Sequence, residues 1–400
     1  MAVAAPSTVC SRLLRLLRAV CLLCALLGGA LFGSQPVLAA DPLAEAGRLA
    51  VIDFMLQEAM RRELIGGAVV LVGNRSGVLY EHAVGAAVFT PGGSRLTTAS
   101  VFDVASLTKV FATTPAIIKL MDQGKLKLLD PISRWFPEFD GCDVTVLHLL
   151  THTSGLHDIP LDPGAPLASA IQRAAAQQHR IPVGSRFLYA DINFILLGEM
   201  VRRISGQPLD SYVRQTFYGP LGMGQTGFTP ARLADGAATL GRGKTAQIGI
   251  VQDENARLLG GVAGHAGLFS TGHDLARFAA MLLNDGVLNG QRVLSSRAVN
   301  QMVAPYYFRN GRVVRGLGWD RESAFSAPKG TLFSEFSYGH TGYSGTSVWI
   351  DPASDLYVVL LTTRLDYKNL RSFNKLRSDI STLAAALFSP RQRADELSIP

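Results

Sequence analysis

Ser106-Leu107-Thr108-Lys109 places a hydroxyl three residues ahead of an amine. On a helix that spacing brings both side chains to one face. A lysine whose charge is suppressed by burial or by neighbouring cations can take a serine's proton. The chemistry would be nucleophilic attack by Ser106, with the free N–H groups of the helix start facing a developing oxyanion. The same pattern recurs at Ser326–Lys329 and at Ser372–Lys375. Ser326 precedes Pro328 and Gly330 in a loop-like stretch, and little chain follows Ser372 to complete a site. Ser106 alone opens a long helical pattern with suitable groups downstream. These are Tyr189-Ala190-Asp191, where a tyrosine can relay protons, and His340-Thr341-Gly342, read as opening a strand whose edge supplies backbone N–H groups.

Other chemistries find little footing. There is no Gly-x-Ser-x-Gly elbow and no His-Glu-x-x-His. Gly241-Arg242-Gly243-Lys244-Thr245 ends like a phosphate loop, but Ala238 stands where that motif needs glycine. His148, His152 and His157 lack grouped carboxylate or thiolate partners, so turn formation and packing are expected of them rather than metal binding. His265 is expected to shape a turn or pack near the cleft, His152 and Ser154 to stabilise a loop, and Asp103 to cap the Ser106 helix locally.

These groups must be held by ordered elements. Leu49, Ile52, Met55, Leu56 and Met60 recur at helical spacing over 45–63. Two apolar runs, 67–73 and 78–85, flank Asn74-Arg75-Ser76-Gly77 and predict a hairpin. A helix is expected from about Ser106 to Asp122, interrupted or kinked at Pro115, with further helices over 194–204, 275–283 and 379–388. Segments 338–350 and 356–363 read as strands. This order fits one α/β unit, about 40–125 and 258–400, split by a helical insertion at about 126–257.

With 48% hydrophobic and 17% charged residues, the 400-residue chain is neither disordered nor fibrous. Three of its +7 net charges, Arg12, Arg15 and Arg18, fall in the acid-free first 39 residues. The remainder is only mildly basic, and no Lys/Arg run with interleaved aromatics suggests a nucleic-acid partner. The arginines precede an apolar stretch, Ala19 to Phe32, and then Val37-Leu38-Ala39, a pattern that predicts an export signal cut after Ala39. Export follows, with membrane contact confined to this segment if it is not cut; only the family resemblance given below points to the periplasm as the compartment. Cys10, Cys21 and Cys24 would leave with the signal. Cys142 then has no disulfide partner, and the acids on either side should raise its thiol pKa.

The motifs together resemble the serine β-lactamase and penicillin-binding-protein superfamily, in its class C β-lactamase-like branch. The strings that carry the resemblance are Phe102-Asp103-Val104-Ala105-Ser106-Leu107-Thr108-Lys109, Leu149 to Leu156, Tyr189-Ala190-Asp191, Gly260 to Ser270, and Tyr338 to Thr346. They span about Leu43 to Leu387, and the Gly260 segment and Tyr-x-Asp variant most resemble periplasmic carboxypeptidase-like members.

The resemblance implies an α/β fold of the β-lactamase/transpeptidase type, an antiparallel sheet flanked by helices with a helical subdomain beside it. It implies Ser106 as the acylated nucleophile, Lys109 as its activating base and Tyr189 as the proton shuttle. The oxyanion hole would be the N–H groups of Ser106 and Tyr343, while Asp191, His340, Thr341 and Gly342 would bind substrate. No metal or organic cofactor is implied. The expected partner is a small ester or a peptidoglycan-derived D-amino acid peptide, with a β-lactam as a further possible ligand. Catalysis by a β-lactamase, or a silent cleft that binds cell-wall peptides, would suit the same motifs. Two residues depart from the commoner pattern. An ionised Asp191, where many members have asparagine, would hold Lys109 protonated, leaving the base role more to Tyr189 unless Asp191 itself carries the proton. His340, where many have lysine, should weaken selectivity for carboxylate-bearing substrates, with recovery as pH falls toward about 6.

Overall fold

Residues 65–74 and 356–364 are almost continuously apolar, with no polar face to turn toward water. A strand of that kind has to be covered on both sides. The computed structural model, which describes residues 42–88, 93–177, 181–228, 238–240, 247–309, 312–323 and 325–389, shows how. Helix α1 (Pro42–Arg61) leads into the hairpin β1 (Ile65–Asn74) and β2 (Gly77–Gly85). Strands β3 (Tyr338–Thr341), β4 (Ser347–Asp351) and β5 (Leu356–Arg364) complete an antiparallel sheet in the order β3-β4-β5-β1-β2. Strands from both ends of the sequence therefore meet in one sheet, and the intervening chain is mostly helical.

Side chains alternate across this sheet. Val69 and Leu71 of β1 and Val359 and Leu361 of β5 pack with Leu275 and Phe278 of a helix over Gly272–Leu283. Val70, Val72, Val358 and Leu360 face the opposite way, onto Ile52 and Leu56 of α1 and Phe373 and Ile380 of a helix over Leu370–Phe388. The result is three layers, helix on sheet on helix. Each such side chain contributes about 1.5–3 kcal/mol on burial. From Leu49 onward the chain forms one compact unit.

The segment 338–350, read as one strand, is two. The break at 342–346 turns the chain, because Gly345 sits at φ +111° and Gly342 passes so close to the Val104 carbonyl that a Cβ would lie 2.7 Å from it. The expected helix from Ser106 also changes form along its length. A 3₁₀ turn (Ala105–Leu107) is followed by a π turn (Lys109–Thr113) and then by α2 (Thr114–Asp122). Pro115 lies in the first turn of α2, where its missing N–H matters least. Its absence still leaves the Phe111 carbonyl without the usual helical donor. The buried Tyr218 hydroxyl donates to that carbonyl at 3.1 Å. Helices α3 (Val146–Leu150) and α4 (Ile192–Ser205) belong to the helical middle. Among the described residues no helix is long and apolar enough to cross a membrane. The segment expected to direct export and the Gly241–Thr245 motif lie outside the described residues.

Because Tyr218 stands in for the missing Pro115 donor, Tyr218→Phe should cost about 1–3 kcal/mol in urea denaturation. The cost should shrink in a Pro115→Ala background, where residue 115 regains its N–H. An equal cost in both backgrounds would contradict this reading.

Candidate active site

The site is assembled from four places: the 3₁₀ and π turns after β3's neighbouring loop at Val104, the stretch leading into α4, the glycine-rich segment before Phe269, and the turn after β3. A two-residue ladder between Phe102–Asp103 and Phe269–Ser270 joins the first and third. Ser106 follows Ala105, which is held at φ +46°, a left-handed conformation that costs a residue with a Cβ. Lys109 is fully buried (0% exposed). Its ammonium donates to Ser106 Oγ at 3.1 Å and to the His265 carbonyl at 3.0 Å, and lies 2.6 Å from Asp191 Oδ1.

Burial alone would depress the Lys109 pKa, but the Asp191 carboxylate and the Tyr189 hydroxyl outweigh it and leave the group above its ordinary value. Burial alone would likewise raise the Asp191 carboxyl, yet the ammonium beside it holds that carboxyl below the usual range. Both directions describe one ion pair, charged in the resting protein. Of the two alternatives for Asp191, the ionised one fits. Lys109 is then an ammonium, not a free amine.

Tyr189 lies against this pair, its ring centroid 5.1 Å from Lys109 Nζ and its hydroxyl interacting with both Lys109 and Ser106. Burial pushes its phenol upward, so it too is protonated at rest. The ring is stacked on His152 at 4.4 Å. His152 accepts at Nδ1 from the Ala190 N–H (3.2 Å), and Ser154 donates to Asn193 Oδ1 (2.5 Å). The loop that carries Tyr189 is thus anchored from α3's end and from α4. Burial, then the cations Arg315 and Lys109, keep His152 neutral.

His340 is the penultimate residue of β3, so its triplet closes a strand instead of opening one. Its Nδ1 is 2.8 Å from the Thr341 carbonyl, which can only accept, so Nδ1 carries the proton and Nε2 is an acceptor. Burial, followed by Arg315 and Lys109, pushes the His340 pKa well below its ordinary value. The expected gain in carboxylate selectivity near pH 6 therefore has no protonated His340 to draw on. Thr341 ends β3, and the Gly342 N–H donates to the Thr346 carbonyl at 2.8 Å. The Tyr343 carbonyl accepts from Arg364 (3.1 Å), and its ring, 62% exposed, lies 5.0 Å from Tyr367. Buried Arg377 donates to the carbonyls of Gly342 (2.7 Å) and Thr346 (2.8 Å), while Ser344 and Thr346 donate to the Asp103 and Val104 carbonyls. The turn bearing Tyr343 is clamped on one side by arginines and on the other by the segment before Ser106.

Several of these supports carry no sequence signal. Arg364 and Arg377 are remote from every motif. Asp253 binds His265 Nε2 at 2.8 Å and is held at about 2, burial being outweighed chiefly by that imidazole. His265 contributes its backbone carbonyl to Lys109, which requires Gly264 to run against α4, where a Cβ would lie 2.0 Å from the Phe194 carbonyl. Asp191, Asp253 and His265 cluster closely, but Asp191 faces an ammonium and Asp253 an imidazole, an unfavourable start for a cation. Of the histidines weighed for a metal site, His148 caps α3 with Thr145. Neither Ser326 nor Ser372 carries a hydroxyl–ammonium contact with its lysine: Lys329 Nζ lies 3.9 Å from Glu322 and Lys375 Nζ 2.6 Å from Asp379. Burial, more than the neighbouring acids, raises the Cys142 thiol.

A Ser–Lys–Tyr set with its lysine fully buried, beside an antiparallel sheet edge, defines the class of active-site-serine hydrolases related to penicillin-binding proteins. The Beta-lactamase family model matches residues 52–378, and the chain belongs to that family. A protein of Escherichia coli (strain K12), provisionally named a D-alanyl-D-alanine carboxypeptidase, is 32% identical, over 72% of this chain and 76% of its own. A class C β-lactamase from Rhodobacter sphaeroides superposes with a TM-score of 0.69 at 17% identity, over 84% of this chain and 99% of its own. A penicillin-binding-protein homologue from Caulobacter crescentus superposes at 0.68 with 20% identity, over 85% and 97%. The fold is accordingly the β-lactamase/transpeptidase type, and the chain is a serine hydrolase of that family.

Replacing Asp191 by asparagine removes the charge that offsets burial, so Lys109 should lose its proton at lower pH. We expect Ser106 labelling by a fluorophosphonate in Asp191→Asn to climb from pH 7 to 9, while the parent stays flat. Superimposable profiles would contradict the pairing.

Proposed function

We propose that the protein is an exported hydrolase that forms an acyl-serine intermediate on D-amino acid peptides of peptidoglycan origin or on small esters. The observation that carries this reading is the contact of Ser106 Oγ with a fully buried Lys109 that is itself bound to Asp191. Export rests on the leading segment, with the periplasm as destination. The name of the Escherichia coli relative supports the peptide substrate. The neutral His340 supports the ester, because it offers no cation for a substrate carboxylate.

With Lys109 an ammonium, the proton of Ser106 travels in two coupled transfers. As Ser106 Oγ bonds the substrate carbonyl carbon, its proton passes to Lys109 Nζ, while Lys109 gives a proton to Asp191 Oδ1. The carbonyl π electrons move to oxygen, where the N–H groups of Ser106 and Tyr343 receive the charge. Tyr189 then donates its proton to the departing amine or alkoxide and is reprotonated from the Lys109–Asp191 pair. Deacylation by water runs the same transfers in reverse. Asp191 thereby serves as the proton store that the buried lysine cannot be.

Time-resolved intact mass of residues 40–400 with benzylpenicillin, beside turnover of a p-nitrophenyl ester, tests this reading. We expect an adduct that persists, ester hydrolysis, and loss of both in Ser106→Ala. Rapid release of hydrolysed drug would instead make the protein a β-lactamase. Neither adduct nor turnover would leave a binding module.

A further inference from the structure

Asp103 lies three residues before the nucleophile and touches no reacting group, yet it is 3% exposed and fully committed. Its Oδ1 accepts from the Ala105 N–H at 2.8 Å, and its Oδ2 accepts from the Gln252 N–H at 2.8 Å. Its own carbonyl accepts from Ser344 Oγ at 2.8 Å. These three bonds reach three separate parts of the site. Ala105 is the left-handed residue that aims Ser106. Gln252 precedes Asp253, which holds His265, whose carbonyl accepts from Lys109. Ser344 follows Tyr343 in the turn clamped by Arg364 and Arg377. Asp103 is therefore a junction that reaches well beyond the local cap expected from its position.

We propose that Asp103 is a positioning residue whose ionised carboxylate holds the Ser106 turn, the Lys109 acceptor segment and the Tyr343 turn in their reactive register. This rests on the acyl-serine reading above. The carboxylate form is required because both oxygens face N–H donors. A protonated acid would turn one acceptor into an O–H with a donor in front of it.

The titration that follows has a definite sign. Burial raises the Asp103 carboxyl to about 6, against the lowering effect of the Gln252 and Ala105 N–H groups. Asp253 and Arg257, from the side of Gln252, act on it in opposite directions, and Tyr367 lies close by on the segment before the C-terminal helix. Asp253 is held at about 2, and His152 and His340 are pushed well below their ordinary values. Above about pH 6 the junction is ionised and intact. Below it, protonation breaks one of the two N–H contacts and Ser106 loses its aim.

The test is the rate of Ser106 acylation by a neutral p-nitrophenyl ester, followed from pH 5 to 8 in parent, Asp103→Asn and Ser106→Ala. We expect the parent rate to fall below about pH 6 with a one-proton slope, at constant thermal midpoint. Asp103→Asn should be slower about tenfold or more at pH 7.5, in kcat and not in KM, and should lack that slope. An Asp103→Asn rate within twofold of the parent, or one that keeps the parent's acid limb, overturns the role. If Asp103→Asn does not fold, the parent decides: a rate that falls only where the protein melts overturns the role, and one that falls in the folded protein supports it. A parent whose turnover survives Ser106→Ala overturns the acyl-serine reading itself, and this role with it.

Discussion

The site depends on a cation placed where no water can reach it. Lys109 is fully buried, and an unpaired ammonium there would simply lose its proton. The Asp191 carboxylate at 2.6 Å, the His265 carbonyl at 3.0 Å and Ser106 Oγ at 3.1 Å are what keep it charged. Removing one partner from such a pair typically costs about 3–5 kcal/mol, so the three segments that supply these atoms are held together by the same charge they surround. The fold follows from that need. The sheet edge, the helical middle and the glycine-rich segment each bring one wall of the pocket.

The pair also changes how the serine can be activated. A neutral lysine next to a serine is a base in its own right. A lysine ion-paired to an aspartate can only pass a proton onward, which moves the base function to the carboxylate. The substitution of aspartate for the commoner asparagine is thus coherent with the neighbouring changes. His340 is neutral with its proton committed to Thr341, so the cleft keeps Lys109 as its central cation and offers no second one on β3. The exposed Tyr343 ring on Tyr367 forms an apolar surface on the turn after β3.

Much of this arrangement was legible in the residues. The apolar runs of β1 and β5 announce strands, and the order Ser106, Tyr189, His340 announces a shared site, which the family resemblance sets between a covered sheet and a helical part. What was hidden has a physical reason in each case. A strand reading of 338–350 ignores that Gly342 must pass the Val104 carbonyl and Gly345 must take a positive φ, which only contacts in space reveal. A 3₁₀ turn and a π turn follow one another from Ala105, and a single helical period cannot express that change. Arg364, Arg377 and Asp103 act through backbone carbonyls and N–H groups, and Asp253 through an imidazole on another segment, so their roles leave no spacing in the sequence. His265 matters through its carbonyl, an atom every residue has.

The protonation state of Lys109 is the centre of the account, and it can be read directly. A ¹⁵N-lysine NMR titration of the folded protein, with the Lys109 resonance assigned from Lys109→Arg, would follow its Nζ from pH 6 to 10. The account predicts an ammonium throughout that range, its signal shifting only as the protein unfolds. A midpoint between pH 7 and 9 would show a neutral amine at rest, and would return the role of base from Asp191 to Lys109.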